Sequence, residues 1–394
     1  MDKHKHIIKL TFGGDVMCLR AETEAVMGRH GRLDYSEYIG ELAPLFIESD
    51  YVVANLETPI SKSASLTTRD IQFNTDEALL RALRQTGFSF LATGNNHCLD
   101  AGVEGIAETI DALDRNGFDH DGTYNKKEDS EKIFVKQIGG VRFAMLSFTY
   151  GTNSEHNGIL LPTGEEWRVA LLKKQNKLRK MPQTQGMNDG NFRTYIADDV
   201  LPAAIANPVN QYFLQRAAAK VERAKANADF VIVLPHVGGQ FNPGPATYAK
   251  YVVATLTDAG ADMVVAGHPH VSQRCGRWRG EGNPFVAYSL GNLCFTPGVG
   301  FFVQNVLSEY GIVLHVYIEA QSRRMIKMTF DTVKSIVDDD GYTRVIPVIK
   351  LLETERNAAK RDRLLMENEA VVNRFRGTAE TVLMDREYSF PDVR

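Results

Sequence analysis

The sequence predicts a layered α/β fold, and three observations carry that prediction. Short β-branched runs recur along the chain, IIKLTF, YVVAN, FSFLAT, FVIVLP and DMVVAG, each bounded by Gly, Pro, Asn or Asp as buried strands are. Amphipathic helical segments separate several of these runs, the alternation expected where helices cover a sheet. Chemistry-bearing residues follow the runs at once: Asp15, Glu57, Asn96 with His97, His236, and His268 with His270. Ligand sites of α/β sheets gather outside the carboxyl ends of their strands, so this placement predicts one oxygen-and-imidazole cage and a metalloenzyme.

The elements follow in order. After the strand at Tyr51 to Ala54 comes a polar loop, SKSASLTTRD, and then DEALLRALRQTG, whose Leu79, Leu80 and Leu83 form a helical face ended by Gly87. FSFLAT is the next strand, and VEGIAETIDALDRNG sets Ile106, Ile110 and Leu113 on one face before Gly117 stops the helix. TYAKYVVATLTDAG reads as a helix closed by Gly260 and followed directly by DMVVAG. Residues 151–210 break the rhythm with GTNSEHNG, a basic run at Lys173, Lys174, Lys177, Arg179 and Lys180, and QTQGMNDGN; they read as an insertion over one edge of the site. Farther on, GIVLHVYI, RRMIKMTF and TRVIPVI read as strands before a charged helical tract carrying Leu351, Leu352, Leu364 and Leu365. The domain reading is therefore a catalytic unit over residues 1–320 with that insertion. Residues 321–394 form a strand and helix appendage on the same core, with no chemistry of its own.

Composition sets limits on function. The chain has 394 residues, 43% hydrophobic and 24% charged, enough for a large core. Its 45 Lys and Arg face 49 Asp and Glu, a formal charge of −4, so no basic field recommends nucleic acid or an anionic membrane. Cys18, Cys98, Cys275 and Cys294 have neither CxxC spacing nor the density of a disulfide scaffold, and reduced thiols are expected. No run approaches the roughly 20 apolar residues of a membrane span, and the start lacks a signal-peptide h-region, so a cytoplasmic location is expected.

The motifs differ in strength. Taken alone, Asp15 in GGDVM reads first as a Gly-Asp turn, and Glu57 in NLETP as a plain strand exit before Pro59. GNNHCLDAG offers the Asn96 amide oxygen and sets His97 and Asp100 at i and i+3, where a carboxylate can orient an imidazole; a capped helix start describes it equally well. His236 alone would be an ordinary satisfied histidine. GHPH is stronger, because two imidazoles flanking one proline project from a stiff elbow and can reach adjacent metals. Cys18 and Cys98 read as small buried hydrophobes rather than nucleophiles. The basic run reads as a solvated helix face before it reads as an anion contact.

In order over about residues 8 to 296, GGDVM with Arg20, NLETPI, GNNHCLDAG, PHVGGQ, and GHPHV with a downstream YSLGN resemble the bacterial CapA-type proteins, named for poly-γ-glutamate capsule synthesis. That family looks like a branch of the calcineurin-like metallophosphoesterases. The resemblance implies a metallophosphoesterase-like β-sandwich flanked by helices. Asp15 and His270 would hold one metal, Asn96, His236 and His268 a second, and Glu57 would bridge them. His97, oriented by Asp100, would transfer a proton or steady the transition state, and Arg20, Asn55 and Asn292 would contact substrate. Phosphoesterases add a histidine two residues after the first aspartate; Met17 stands there, which leaves the first metal with three protein ligands. The mixed N/O set implies one or two divalent ions, Mn²⁺, Zn²⁺ or Fe in preference to Mg²⁺ or Ca²⁺.

Three functions are compatible with these residues: a metal-dependent hydrolase using an activated water, a peptide epimerase that removes a Cα proton, and a non-catalytic component of capsule polymer handling. The substrate is accordingly a small molecule, a polymer or a peptide, and hydrolysis is the leading expectation.

Overall fold

The computed structural model describes residues 6–66, 72–175, 207–279, 284–297 and 306–390. Of the features singled out in the sequence, the end of the SKSASLTTRD loop, Lys177, Arg179, Lys180 and the QTQGMNDGN segment lie outside the described residues.

Among the described residues, fifteen strands form two sheets: β1 (Ile7–Val16), β2 (Tyr51–Leu56), β3 (Phe90–Ala92), β4 (Asp119–Asp121), β5 (Val135–Ile138), β6 (Val141–Thr149), β7 (Phe230–His236), β8 (Met263–Val265), β9 (Ser272–Arg277), β10 (Phe285–Leu290), β11 (Asn292–Cys294), β12 (Tyr310–Glu319), β13 (Arg324–Val337), β14 (Thr343–Pro347) and β15 (Tyr388–Ser389). The nine-stranded sheet runs β14-β13-β12-β1-β2-β3-β4, with β11 on β1 and β15 on β13; the six-stranded sheet runs β5-β6-β7-β8-β10-β9. Strands β1 to β4 are parallel, as are β6, β7, β8 and β10, so their carboxyl ends share a direction within each sheet.

Strand periodicity explains the layering. Ile232 and Leu234 of β7 face the core between the sheets, where they join Leu10, Phe12, Val53, Phe143, Met145 and Phe285, whereas Val231 and Val233 face outward. On that outer face, helix Pro208–Asn227 packs Leu214, Ala217 and Val221, and helix Thr247–Asp258 packs Val252, Val253 and Leu256. Behind the larger sheet, helix Ala78–Thr86 buries Leu79, Leu80 and Leu83 against Val52, Ala54 and Leu91. Helix, sheet, sheet, helix is the layered α/β sandwich expected, and β7 is buried at all seven positions because both its faces are covered.

Several local expectations need correction. FSFLAT supplies only three strand residues, Phe90–Ala92. TRVIPVI ends as a strand at Pro347, where the ring removes the next ladder donor, and Val348 and Ile349 open a short helix. The charged tract is two helices, Val348–Thr354 and Ala358–Arg376, the second capped by the Asn357 side chain. Helix Pro208–Asn227 lies outside the sequence expectations, because its buried face mixes Phe213, Leu214 and Val221 with Ala217, Ala224 and Lys220 and offers little hydrophobic contrast. Strands β12, β13 and β14 extend the sheet beyond β1, and Val371, Val372 and Phe375 of the last helix pack into the core between the sheets.

Candidate metal centre

The register of the parallel strands brings the motifs together. Asp15 pairs with Asn55 across β1 and β2 and with Asn292 across β1 and β11; Thr149 pairs with His236, and His236 bridges to Gly267. Strand ends 250 residues apart in sequence are thus adjacent in space. Asp15, Glu57, Asn96, His97, Asp100, His236, His268 and His270 are all buried. Two glycines permit the close approach. A Cβ on Gly267 would lie 2.6 Å from Asp15 Oδ1, and one on Gly14 would lie 1.9 Å from the Gly291 carbonyl oxygen.

Ligand atoms of Glu57, His268 and His270 lie within 4.8 Å of one another, and so do those of Asp15, Glu57 and His236; Glu57 is common to both groups. His236 Nε2 is 2.6 Å from Asn96 Oδ1, 3.2 Å from His268 Nδ1 and 3.3 Å from Glu57 Oε1. His270 approaches Asp15 Oδ2 at 3.7 Å through Nδ1 and Glu57 Oε1 at 3.6 Å through Nε2. His268 and His270 both have positive φ, 99° and 57°, so the Pro269 elbow holds two non-glycine residues in the left-handed region. Such strain costs on the order of 1–3 kcal/mol per residue and concentrates at functional sites.

The cage is not satisfied by protein alone. Both carboxylate oxygens of Glu57 and the Nε2 of His268 are buried without a hydrogen-bond partner. Burial pushes the Glu57 carboxyl up to about 8, partly opposed by His270, and pulls His236 down to about 4. Burial also raises Asp15 and lowers His268 and His270. Neutral imidazoles facing unpartnered carboxylate oxygens are what a divalent cation needs, and a buried carboxylate without one carries a penalty on the order of several kcal/mol. The residues present therefore fit one or two divalent ions.

Amide side chains surround the cage. Asn55 Nδ2 donates to Asp15 Oδ1 at 2.8 Å and lies 3.3 Å from His236 Nδ1. Asn292 donates through Nδ2 to the His270 and Ser308 carbonyls, so its Oδ1 accepts from His270 Nδ1 at 2.9 Å and leaves Nε2 toward Glu57. Arg20 is exposed at the start of helix Arg20–His30 and pairs with Glu24 at 2.6 Å. Met17 is buried with Leu19 and Phe295.

Beside the cage, His97 Nδ1 lies 2.6 Å from Asp100 Oδ2, and Phe73 stacks on its ring at 3.8 Å between centroids. Burial opposes protonation of His97, but the charge and hydrogen bond of Asp100, with Glu57 and Asp15, outweigh it and raise the imidazole. Asp100 also accepts from the Phe73 backbone N–H and from Asn157 Nδ2. Cys98 is buried with Leu99, Ile106 and Ile110, and burial raises its thiol out of nucleophilic range. Sequence reasoning does not reach Phe73, Tyr150, Asn153 and Asn157; for the two asparagines the one signal is the Asn-rich GTNSEHNG stretch at the edge of the site.

The family model described as "Bacterial capsule synthesis protein PGA_cap" matches residues 9–297. Capsule biosynthesis protein CapA of Bacillus anthracis is 27% identical over 315 residues, 78% of this chain and 65% of that protein. PGA biosynthesis protein CapA of Bacillus subtilis (strain 168) is 27% identical over 296 residues, 74% of this chain and 64% of that protein. The chain thus spans a little under two thirds of the length of these relatives. A solved structure described as a novel phosphatase from Mycoplasma pneumoniae aligns over 84% of this chain and 94% of its own at 12% identity, with a TM-score of 0.44, too low to carry an argument.

Proposed function

The chain belongs to the bacterial capsule synthesis protein PGA_cap family, and on that premise we propose that it is a metal-dependent hydrolase. The observation that carries this reading is the sharing of the unpartnered Glu57 carboxylate between two buried histidine groups, with the His97–Asp100 pair alongside. Glu57 would bridge two ions; the two groups that share it pair His268 with His270 and Asp15 with His236, with Asn96 beside His236, rather than Asp15 with His270 as the resemblance implies. Bound ions would supply Lewis-acid polarisation of the substrate and lower the pKa of a water molecule.

The chain's own groups do the rest. Asp100 fixes the His97 ring through Nδ1, and an incoming water or substrate would displace the Asn153 amide from Nε2. His97 takes a proton from the attacking water through Nε2 and hands it to the leaving group, a transfer that contributes typically ~10²- to 10⁴-fold. Asn55 and Asn292, whose hydrogen bonds go to cage residues, orient Asp15, His236 and His270. Phe73, stacked on the His97 ring and packed in turn against Met17, would keep bulk water from that face.

One observation favours a second reading. The Asn153 amide nitrogen lies 3.2 Å from His97 Nε2, so that nitrogen presents a lone pair. A histidine poised as a base suits removal of a Cα proton from a peptide, the epimerase reaction. The test is to incubate the manganese-loaded protein in D₂O with a panel of aryl phosphates, phosphodiesters, γ-glutamyl amides and peptides. Bond cleavage dependent on metal and on His97 supports hydrolysis; one deuterium gained by a peptide with no bond broken transfers the assignment to epimerisation.

A further inference from the structure

Asn153 lies between the metal cage and the proton-transfer histidine and hydrogen-bonds to both. Its segment is tied to the site by backbone contacts: Tyr150 N–H donates to the His236 carbonyl at 3.1 Å, and Thr149 bridges to Leu171. The residue has φ 51°, a left-handed conformation that asparagine tolerates better than most side chains, and its carbonyl accepts from Asn157 N–H at 2.9 Å.

A primary amide has one end that only accepts and one that only donates, and both ends of Asn153 are engaged. Asn153 Oδ1 accepts from Asn96 Nδ2 at 3.0 Å. With its nitrogen so occupied, Asn96 must turn Oδ1 toward His236 Nε2, the orientation a metal ligand requires. At the other end, Asn153 Nδ2 donates to His97 Nε2, while Nδ1 of that ring faces Asp100 Oδ2. With the Asn153 amide in this orientation, neutral His97 accepts at Nε2 and carries its proton on Nδ1 toward Asp100; turning the Asn153 amide alone would set donor against donor at Asn96.

Resting on the metal-site reading above, we propose that Asn153 is a positioning residue with two separable duties: it presents the Asn96 oxygen to the cage, and it fixes the His97 ring by donating to Nε2. The two duties call for two substitutions. Asn153→Gly removes both hydrogen bonds without straining the left-handed backbone. Asn153→Asp keeps the acceptor for Asn96 and replaces the donor facing His97 with an acceptor.

Neither measurement needs substrate. Calorimetric titration of metal-free protein with Mn²⁺ should show affinity weakened about 10- to 100-fold in Asn153→Gly, as for loss of a group that orients a ligand, and within a few-fold of wild type in Asn153→Asp. ¹⁵N-edited NMR should report an unprotonated Nε2 on His97 in the wild type and a protonated one in Asn153→Asp. Equal loss of Mn²⁺ affinity in both variants, no loss in either, or an unchanged His97 spectrum in Asn153→Asp would overturn the proposal. A wild-type protein that binds no Mn²⁺ would instead remove the reading beneath it, and absent hydrolysis would leave both readouts intact.

Discussion

Two buried histidine and carboxylate clusters, one within the larger sheet and one where strand ends of both sheets converge, meet burial in opposite ways. In the first, on β12 and β13, His315 Nδ1 lies 2.8 Å from Thr11 Oγ1 and Nε2 lies 2.8 Å from Asp331 Oδ2, so both ring nitrogens are engaged. In the second, around Glu57, two carboxylate oxygens and one imidazole nitrogen have no partner. Burial alone therefore does not mark a metal site, since the His315 imidazole is as buried as His268. What separates the two is convergence of unsatisfied ligand atoms, which a folded chain retains only where something else satisfies them. The difference also bears on shape. The His315 cluster sits on regular antiparallel strands, whereas the cage sits on strand exits, two of them in strained left-handed backbone.

The largest effect should fall on chemistry with little change in the cage. His97→Ala is expected to lower turnover ~10²- to 10⁴-fold while metal content measured by elemental analysis stays at the wild-type value. Metal loss equal to that of a cage variant would reassign His97 as a ligand.

Next comes metal itself. His236→Ala should remove about one equivalent of divalent ion, and the rise in melting temperature on adding Mn²⁺ to metal-free protein should shrink, because an ion present at 100 times its Kd stabilises by about 2.7 kcal/mol. A variant with the full metal content and the full thermal shift would remove His236 from the ligand set.

The two clusters should then respond oppositely to apolar substitution. His315→Leu strands buried Asp331 and Thr11 and should destabilise the protein by about 1–3 kcal/mol, with metal stoichiometry unchanged. Glu57→Leu in chelator-treated protein removes an unpartnered buried carboxylate and should be neutral or stabilising, yet abolish the thermal response to metal. Denaturant melts of both, with and without Mn²⁺, decide; a loss of stability for metal-free Glu57→Leu as large as that for His315→Leu would erase the distinction.

The smallest effect is expected at a solvent-facing cluster, where Arg29 pairs with Asp338 at 2.8 Å and with Asp340 at 2.6 Å. Hydrogen bonds from Arg344 and, against some burial, from Arg29 hold the Asp338 carboxyl below its usual range, and Arg29 does the same for Asp340. A depressed carboxyl stabilises the fold above its unfolded pKa and loses that contribution as pH falls through the folded value. Arg29→Met should thus lower the melting temperature by about 1–2 °C at pH 7, with the difference from wild type vanishing at acid pH. A difference that grows toward acid pH would contradict this sign.

Much of the candidate site was legible because each candidate ligand lies at the end of its strand or in the exit just beyond it, and Gly or Pro punctuates that exit. Asp15, Glu57, Asn96, His236, His268 and His270 could be named that way, and the parallel register then placed them together. Asn153, Asn157 and Phe73 could not, since their partners His97 and Asp100 lie 24 to 57 residues away across loops without periodicity.

Local chemistry determined the existence of the strands, the helices with strong apolar contrast, and the residue types at the strand exits, because propensity and periodicity act over a few residues. Only the tertiary structure decided which amide faces which imidazole, that Glu57 is left without a partner, and that His315 is not. Those outcomes depend on strand register and on backbone conformations such as the left-handed His268 and His270, which are set by contacts hundreds of residues apart and leave no periodic trace in the chain.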